Sequence, residues 1–155
     1  MYGNIGISRD DLHVDLHFVT PLNVFTGYSS SGKTFLMNTL QDFKNLNSLK
    51  GLESNTDLSD IIICKDESDI ENLLSLHENY TGKTIFIDRY DYLYSDELDK
   101  FILSGKNRIV IMSHTFHERL KLGAISYNIL YCTKEQSKIR FHNESLLEHI
   151  RENYI

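Results

Sequence analysis

Eight consecutive residues in the first quarter of the chain have types and a spacing suited to holding a chain of phosphates. They fit the pattern G-x-x-x-x-G-K-[ST] at every fixed position and are Gly27, Tyr28, Ser29, Ser30, Ser31, Gly32, Lys33 and Thr34. Glycines let the backbone turn so tightly that successive N–H groups point at phosphate oxygens, and a following helix directs its positive end at the same anion. Lys33 would reach the outer phosphates, and the Thr34 hydroxyl would bind magnesium. The segment therefore predicts a site for a nucleoside triphosphate with Mg²⁺.

A carboxylate that completes such a magnesium site is expected at the end of a neighbouring strand. Asp88 directly follows the apolar run Thr84-Ile85-Phe86-Ile87, and it comes after Lys33 in the element order that the site requires. We therefore expect Thr34 and Asp88 to share the metal ion. A plain surface carboxylate is the alternative reading of Asp88, since an apolar run ending in Asp is common.

The elements that would position these residues alternate between strands and helices. Apolar and polar alternation or continuous apolar runs predict strands at 12–18, 22–26, 61–64, 84–88 and 109–111, and a hairpin of 125–132 with 138–142. Apolar residues at helical spacing predict helices after Thr34, after Ser68, around 95–103 and at about 144–153. Capping boxes, which mark helix starts, are present at Ser68-x-x-Glu71 and Thr115-x-x-Glu118. This order predicts one α/β domain over residues 1–155, with a mostly parallel sheet, helices on both faces and antiparallel strands at the edges.

With these residues in place, the chain resembles the P-loop NTPase superfamily over residues 12–135. It is similar in particular to the branch with an extra strand between the phosphate-loop strand and the Asp-bearing strand, to which ABC-type and AAA-type ATPases belong. The resemblance implies a three-layer fold, bound ATP or another nucleoside triphosphate with Mg²⁺, and the run 61–64 as the extra strand. It also implies that His114, after Ile109-Val110-Ile111-Met112-Ser113, senses the γ-phosphate; a solvent-facing histidine is the alternative.

Hydrolysis depends on a carboxylate that orients the attacking water, and the chain departs from the family at this point. ABC-type ATPases have a glutamate directly after the Asp, where this chain has Arg89, and the ABC signature segment is absent. Glu67 and Asp91 are the candidates for the missing base. Both could instead cap helices or complement their dipoles. We therefore expect an ATPase of low intrinsic or partner-stimulated activity, with a non-hydrolysing nucleotide-dependent binding module as the alternative.

A second resemblance points to a different reaction. Asp88-Arg89-Tyr90 at a strand end is similar to the Asp-Arg-Tyr motif of thymidylate kinases, which implies transfer of a phosphoryl group to a nucleoside monophosphate. The chain lacks the arginine-rich lid of those kinases, and its phosphate loop lies behind an additional N-terminal strand. The kinase therefore ranks below the ATPase and the binding module.

Composition narrows the setting in which such a domain would act. Hydrophobic residues make up 41% and charged residues 25% of 155 residues, which is ordinary for a globular domain. The net charge of −6 gives no indication of nucleic-acid binding. The absence of a signal-peptide pattern and of a membrane-spanning apolar run favours a cytoplasmic protein without membrane partners. Because lid, signature segment and appended domain are all missing, we expect the chain to act in a homo-oligomer or with a protein partner.

Overall fold

Nine strands join one sheet in the part of the chain that the computed structural model describes, namely residues 3–26, 32–45, 51–76, 79–113 and 125–145. The strands are β1 (Gly3–Arg9), β2 (Leu12–Phe18), β3 (Leu22–Thr26), β4 (Glu53–Ser54), β5 (Ile61–Cys64), β6 (Thr84–Ile87), β7 (Arg108–Met112), β8 (Ile125–Glu135) and β9 (Lys138–Ser145). The helices are α1 (Lys33–Asn45), α2 (Glu67–Ser75), α3 (Tyr90–Leu93) and α4 (Asp96–Leu103), and Leu58–Asp60 form a 3-10 turn.

The sheet has a parallel half and a mixed half. Its order is β4-β1-β2-β9-β8-β3-β7-β6-β5, and the five strands from β8 to β5 are parallel to one another. β1 runs antiparallel to both β2 and β4, β8 and β9 form an antiparallel hairpin, and β2 pairs with β9 in parallel. The expectation of a mixed α/β fold with a mostly parallel sheet and antiparallel flanking strands is confirmed.

The position of one predicted strand is wrong. The run 61–64 does form a strand, β5, but it lies at the outer edge beyond β6. The strand that separates β3 from β6 is β7, which pairs in parallel with both. The chain therefore leaves β3, forms the far edge first, and returns inward through β6 to β7. A continuous apolar run shows that a strand is buried on both faces, but it does not show which neighbours the strand has.

Alternate side chains of the central strands enter two separate cores, which places helices on both faces of the sheet. On one face Phe25, Phe86 and Val110 pack with residues of α1. On the other face Val24, Ile85 and Ile111 pack with residues of α2 and α4. Because successive side chains of a strand point to opposite faces, these two clusters must lie on opposite sides of the same sheet.

Several predicted boundaries differ from those observed. Helix α2 begins two residues early, because the Asp66 carboxylate accepts from the Asp69 backbone N–H at 2.9 Å and caps the helix instead of Ser68. The predicted start of a C-terminal helix at 144 is wrong, since residues 144–145 belong to β9. The remainder of that helix and the capping box Thr115-x-x-Glu118 lie outside the described residues. Strands β1 and β4 were not predicted from the sequence.

None of the described helices combines the length and apolar character that crossing a bilayer demands.

The turn that follows β6 is tied to α4 by a buried side-chain contact. Tyr90 is fully buried, and its hydroxyl donates a hydrogen bond to the Asp99 carboxylate, which is itself 8% exposed. A carboxylate in this position depends on its donors, because burying a charged group without hydrogen bonds is costly. The contact therefore links α3, which follows Asp88, to α4.

Replacing Tyr90 with Phe should lower the free energy of unfolding by about 1–3 kcal/mol, since the buried Asp99 carboxylate loses a donor while the ring stays in place. Urea denaturation would measure the change. Tyr92→Phe is the matched control, because the Tyr92 side chain is 79% exposed and should tolerate the same change. Equal stabilities of the two variants would contradict this role for the Tyr90 hydroxyl.

Candidate functional site

A cavity of about 420 Å³ opens at the edge of the sheet where the parallel strands end. Its lining combines the start of α1, the residues after β6 and the end of β7, and consists of Lys33, Thr34, Asp88, Arg89, Asp91, Tyr92, Met112 and Ser113. Four of the predicted site residues thus meet in one place: Lys33, Thr34, Asp88 and Asp91. Ligand sites of open parallel sheets commonly lie outside the carboxyl ends of the strands, as this cavity does.

Backbone hydrogen bonds beyond the strand ends hold the cavity walls in register. The Asp88 N–H donates to the Cys64 carbonyl at 2.9 Å, which extends the β5–β6 pairing by one residue. The Ser113 N–H donates to the Phe25 carbonyl at 3.1 Å and extends the β3–β7 pairing in the same way. Asp88 and Ser113 are therefore fixed by the sheet itself.

The side chain of Lys33 is almost completely shielded from solvent. It is only 5% exposed. Burial lowers the pKa of Lys33 from its ordinary value, and the nearby Asp88 and Asp91 carboxylates act in the opposite direction. Because the desolvation effect is the larger of the two, the ammonium would be stabilised by a further anion in the cavity.

Gly32 is held in a conformation and a space that suit glycine. Its φ is +92°, and its carbonyl accepts the Leu36 N–H at 2.8 Å, the first hydrogen bond of α1. A Cβ at this position would lie 3.1 Å from the Cys132 Cβ and 3.6 Å from the Phe141 ring. The entry of the chain into α1 is therefore packed directly against the β8–β9 hairpin. The preceding loop residues Gly27 to Ser31 lie outside the described residues.

Arg89, the residue directly after Asp88, also lines the cavity. Its φ is +53°, and its carbonyl accepts the N–H groups of Tyr92 and Leu93 at 2.9 and 3.1 Å, so it opens α3. A left-handed conformation is uncommon for a residue other than glycine, asparagine or aspartate, and it concentrates at functional sites. The turn brings Asp91 and the exposed Tyr92 to the cavity.

Of the predicted site residues that the structure describes, Gly32 and Glu67 do not line the cavity. Glu67 is exposed in the first turn of α2 and does not belong to the cavity lining. His114 lies outside the described residues, immediately after Ser113. Arg89, Tyr92, Met112 and Ser113 also line the cavity but were not predicted as site residues. Arg89 belongs to the motif that resembles thymidylate kinases, whereas the other three had no sequence signal beyond their proximity to Asp88 or to the end of β7.

The motif Asp88-Arg89-Tyr90 is divided by the fold. Asp88 and Arg89 line the cavity, whereas Tyr90 is fully buried and points its hydroxyl at Asp99. Tyr90 therefore contributes to the packing of the helices and not to the lining of the cavity.

Within the described ranges, no group of three or more His, Cys, Asp or Glu side chains is arranged to hold a metal ion. A metal at the cavity would instead need the Thr34 hydroxyl, the Asp88 carboxylate and oxygens from its ligand, which is the set that Mg²⁺ uses in phosphate sites. Two histidines of β2, His13 and His17, lie on the face of the strand opposite its core residues Val14 and Leu16. The His17 imidazole forms a hydrogen bond with the Asn4 side chain at 2.9 Å.

No protein-family model matches the chain, and neither does any curated protein. What the geometry itself offers is a buried ammonium, a hydroxyl at the start of a helix and two carboxylates around one cavity. This set suits a ligand that combines anionic groups with a divalent cation.

Alanine substitutions of Gly32 and Gly51 form a matched pair that tests how closely Gly32 packs against the β8–β9 hairpin. Gly51 has a φ of +85° and open space around it, so Gly51→Ala should lower the free energy of unfolding by about 1 kcal/mol from backbone strain alone. Gly32→Ala should lower it by about a further 1–3 kcal/mol, because the added Cβ meets Cys132.

Urea denaturation of both glycine variants would measure the difference. An equal loss for the two would show that the hairpin does not restrict the space around Gly32.

Proposed function

We propose that this chain binds a nucleoside triphosphate with Mg²⁺, represented by ATP, and is a weak or partner-stimulated ATPase within an oligomer or complex. The observation that carries the proposal is the position of Lys33. Its buried ammonium faces the same cavity as Thr34, Asp88 and Asp91, directly after a glycine-rich loop.

Binding of phosphates follows from the electrostatics of this position. Burial disfavours the charged form of Lys33, so an anion placed beside it gains more than it would at the surface. The first N–H groups of α1 and the helix dipole contribute positive potential at the same point. A polyphosphate would bring negative charge close to both the ammonium and the helix end.

Magnesium would balance the remaining charge. Thr34 and Asp88 line the cavity with Lys33, and a hydroxyl with a carboxylate leaves several coordination positions to phosphate oxygens and water. The ion would also separate the Asp88 carboxylate from the phosphates, which would otherwise repel each other.

The arrangement of strands supports the finer assignment to a three-layer P-loop NTPase fold. In the branch that the sequence resembles, an extra strand separates the phosphate-loop strand from the Asp-bearing strand. Here β7 occupies that place between β3 and β6. The proposal includes the cytoplasm as the location of the protein.

Asp91 is the carboxylate best placed to orient an attacking water. It lines the cavity and acts on the pKa of Lys33, whereas Glu67 is exposed outside the lining. A base must come within hydrogen-bond reach of the water it activates, directly or through one further water. Asp91 is therefore the catalytic candidate that we retain.

Arg89 favours the second candidate function, a nucleotide-dependent binding module without hydrolysis. It places a permanent cation at the cavity, where the related ATPases have a carboxylate. A guanidinium can hold a phosphate but cannot accept a proton from water. Binding and turnover must therefore be measured separately.

Calorimetric titration with Mg-ATP should show binding, and Lys33→Ala should weaken it by about tenfold or more because one charge-assisted contact is lost. Lys100→Ala removes an exposed lysine of α4 and is the control, with no change expected. If the unmodified chain failed to bind Mg-ATP, or if Lys33→Ala bound it equally well, the proposed function would be wrong.

Phosphate release from Mg-ATP distinguishes the two candidate functions. If Asp91 orients water, Asp91→Asn should lower kcat by about a hundredfold or more while the Kd for ATP stays nearly the same. Glu67→Gln is the control, and its kcat should match that of the unmodified protein. Tight binding of ATP without phosphate release would favour the non-hydrolysing module.

A further inference from the structure

Phe35 is a large apolar side chain that directly follows the cavity residue Thr34 and remains exposed. Its side chain is 41% exposed, whereas every other phenylalanine among the described residues is buried. Phe35 follows Thr34 directly and lies in the first turn of α1. An exposed ring so close to a candidate phosphate site suits contact with the rest of the same ligand.

The ring is held by the β8–β9 hairpin. Its centroid lies 5.2 Å from that of the buried Phe141 of β9, with an angle of 65° between the two planes. The Nζ atom of Lys134, in β8, lies 6.0 Å from the centroid of Phe35. The same hairpin packs against Gly32 through Cys132, so Phe35 and the loop end share one support.

The strand order separates this ring from the acidic end of the cavity. Asp88 and Asp91 follow β6, which lies two strands from β3 on the side of β7. Phe35 contacts the hairpin, which begins with β8 on the opposite side of β3. Lys33 and Thr34 line the cavity together with Asp88 and Asp91, and they directly precede Phe35 in the first turn of α1.

A nucleoside triphosphate has the same division along its length. Its outer phosphates need magnesium and carboxylates, and its base needs a flat apolar surface. Aromatic side chains provide such a surface for any base, and the Lys134 ammonium, which lies over the Phe35 ring, would donate to acceptor atoms on the base or ribose.

We propose that Phe35 is the stacking platform for the base of the bound nucleotide and that Lys134 donates to the same nucleoside. This inference rests on the proposed triphosphate site and adds the feature that makes the ligand a nucleotide. Inorganic triphosphate fills only the Lys33 end, whereas ATP also fills the Phe35 end.

The test compares the Kd of Mg-ATP with that of magnesium triphosphate for each variant. Unmodified protein should bind ATP about tenfold or more tightly than triphosphate. Phe35→Ala should remove most of this preference by weakening ATP alone, and Phe35→Tyr should retain it. Phe35→Leu, which keeps an apolar side chain in the fold, should lose the preference as Phe35→Ala does. Leu76→Ala is the control, since Leu76 is a similarly exposed apolar residue at the end of α2.

Lys134→Ala should reduce the same preference, whereas Lys138→Ala, which removes another exposed lysine of the hairpin, should preserve it. Equal affinity of unmodified protein for ATP and triphosphate, or an unchanged preference in Phe35→Ala and Phe35→Leu, would overturn the base platform and leave the phosphate site standing. Binding of neither ligand would overturn both.

Discussion

The burial of one positive charge constrains the rest of this structure. Lys33 is almost fully enclosed, and the two carboxylates that act on its pKa, Asp88 and Asp91, come from a different element. They reach it because β6, β7 and β3 are parallel and end at the same edge of the sheet. A change in strand register would move the ammonium away from these two carboxylates, and separating a buried charge from its partners is among the most destabilising changes a core can suffer. The site and the sheet are therefore stabilised together.

The sequence predicted the features that depend on short stretches of chain. Local patterns predict a strand before Asp88 and a C-terminal hairpin, and the structure contains both. The strand is one residue shorter than predicted, and each hairpin strand is three residues longer at its C-terminal end. Spatial order was less predictable. Whether β5 or β7 separates β3 from β6 depends on the paths of the connections, and the two runs are similarly apolar. Local competition explains a further difference, because Asp66 and Ser68 both precede α2 and only the former caps it.

The choice between Asp91 and Glu67 shows the same limit at the level of single residues. Both are acids in the first turn of a helix that follows a parallel strand, so the sequence ranks them equally. They differ because Arg89 adopts a left-handed conformation that opens α3 directly after Asp88, which leaves Asp91 on the cavity. Such a conformation in arginine costs about 1–2 kcal/mol relative to the right-handed form. Tyr90, buried below the turn and bonded to Asp99, provides the packing that maintains it.

The two halves of the sheet bring different chemical groups to the two sides of α1. The parallel half brings carboxylates to one side of Lys33, and those groups suit magnesium and phosphates. The mixed half brings the β8–β9 hairpin to the other side, where Phe141 and Lys134 border the exposed ring of Phe35. Gly32 lies at the junction, and its contact with Cys132 fixes the distance between α1 and the hairpin. A ligand that has a charged end and a flat apolar end would contact both halves at once. Binding such a ligand would therefore stabilise the junction between them as well as the site itself.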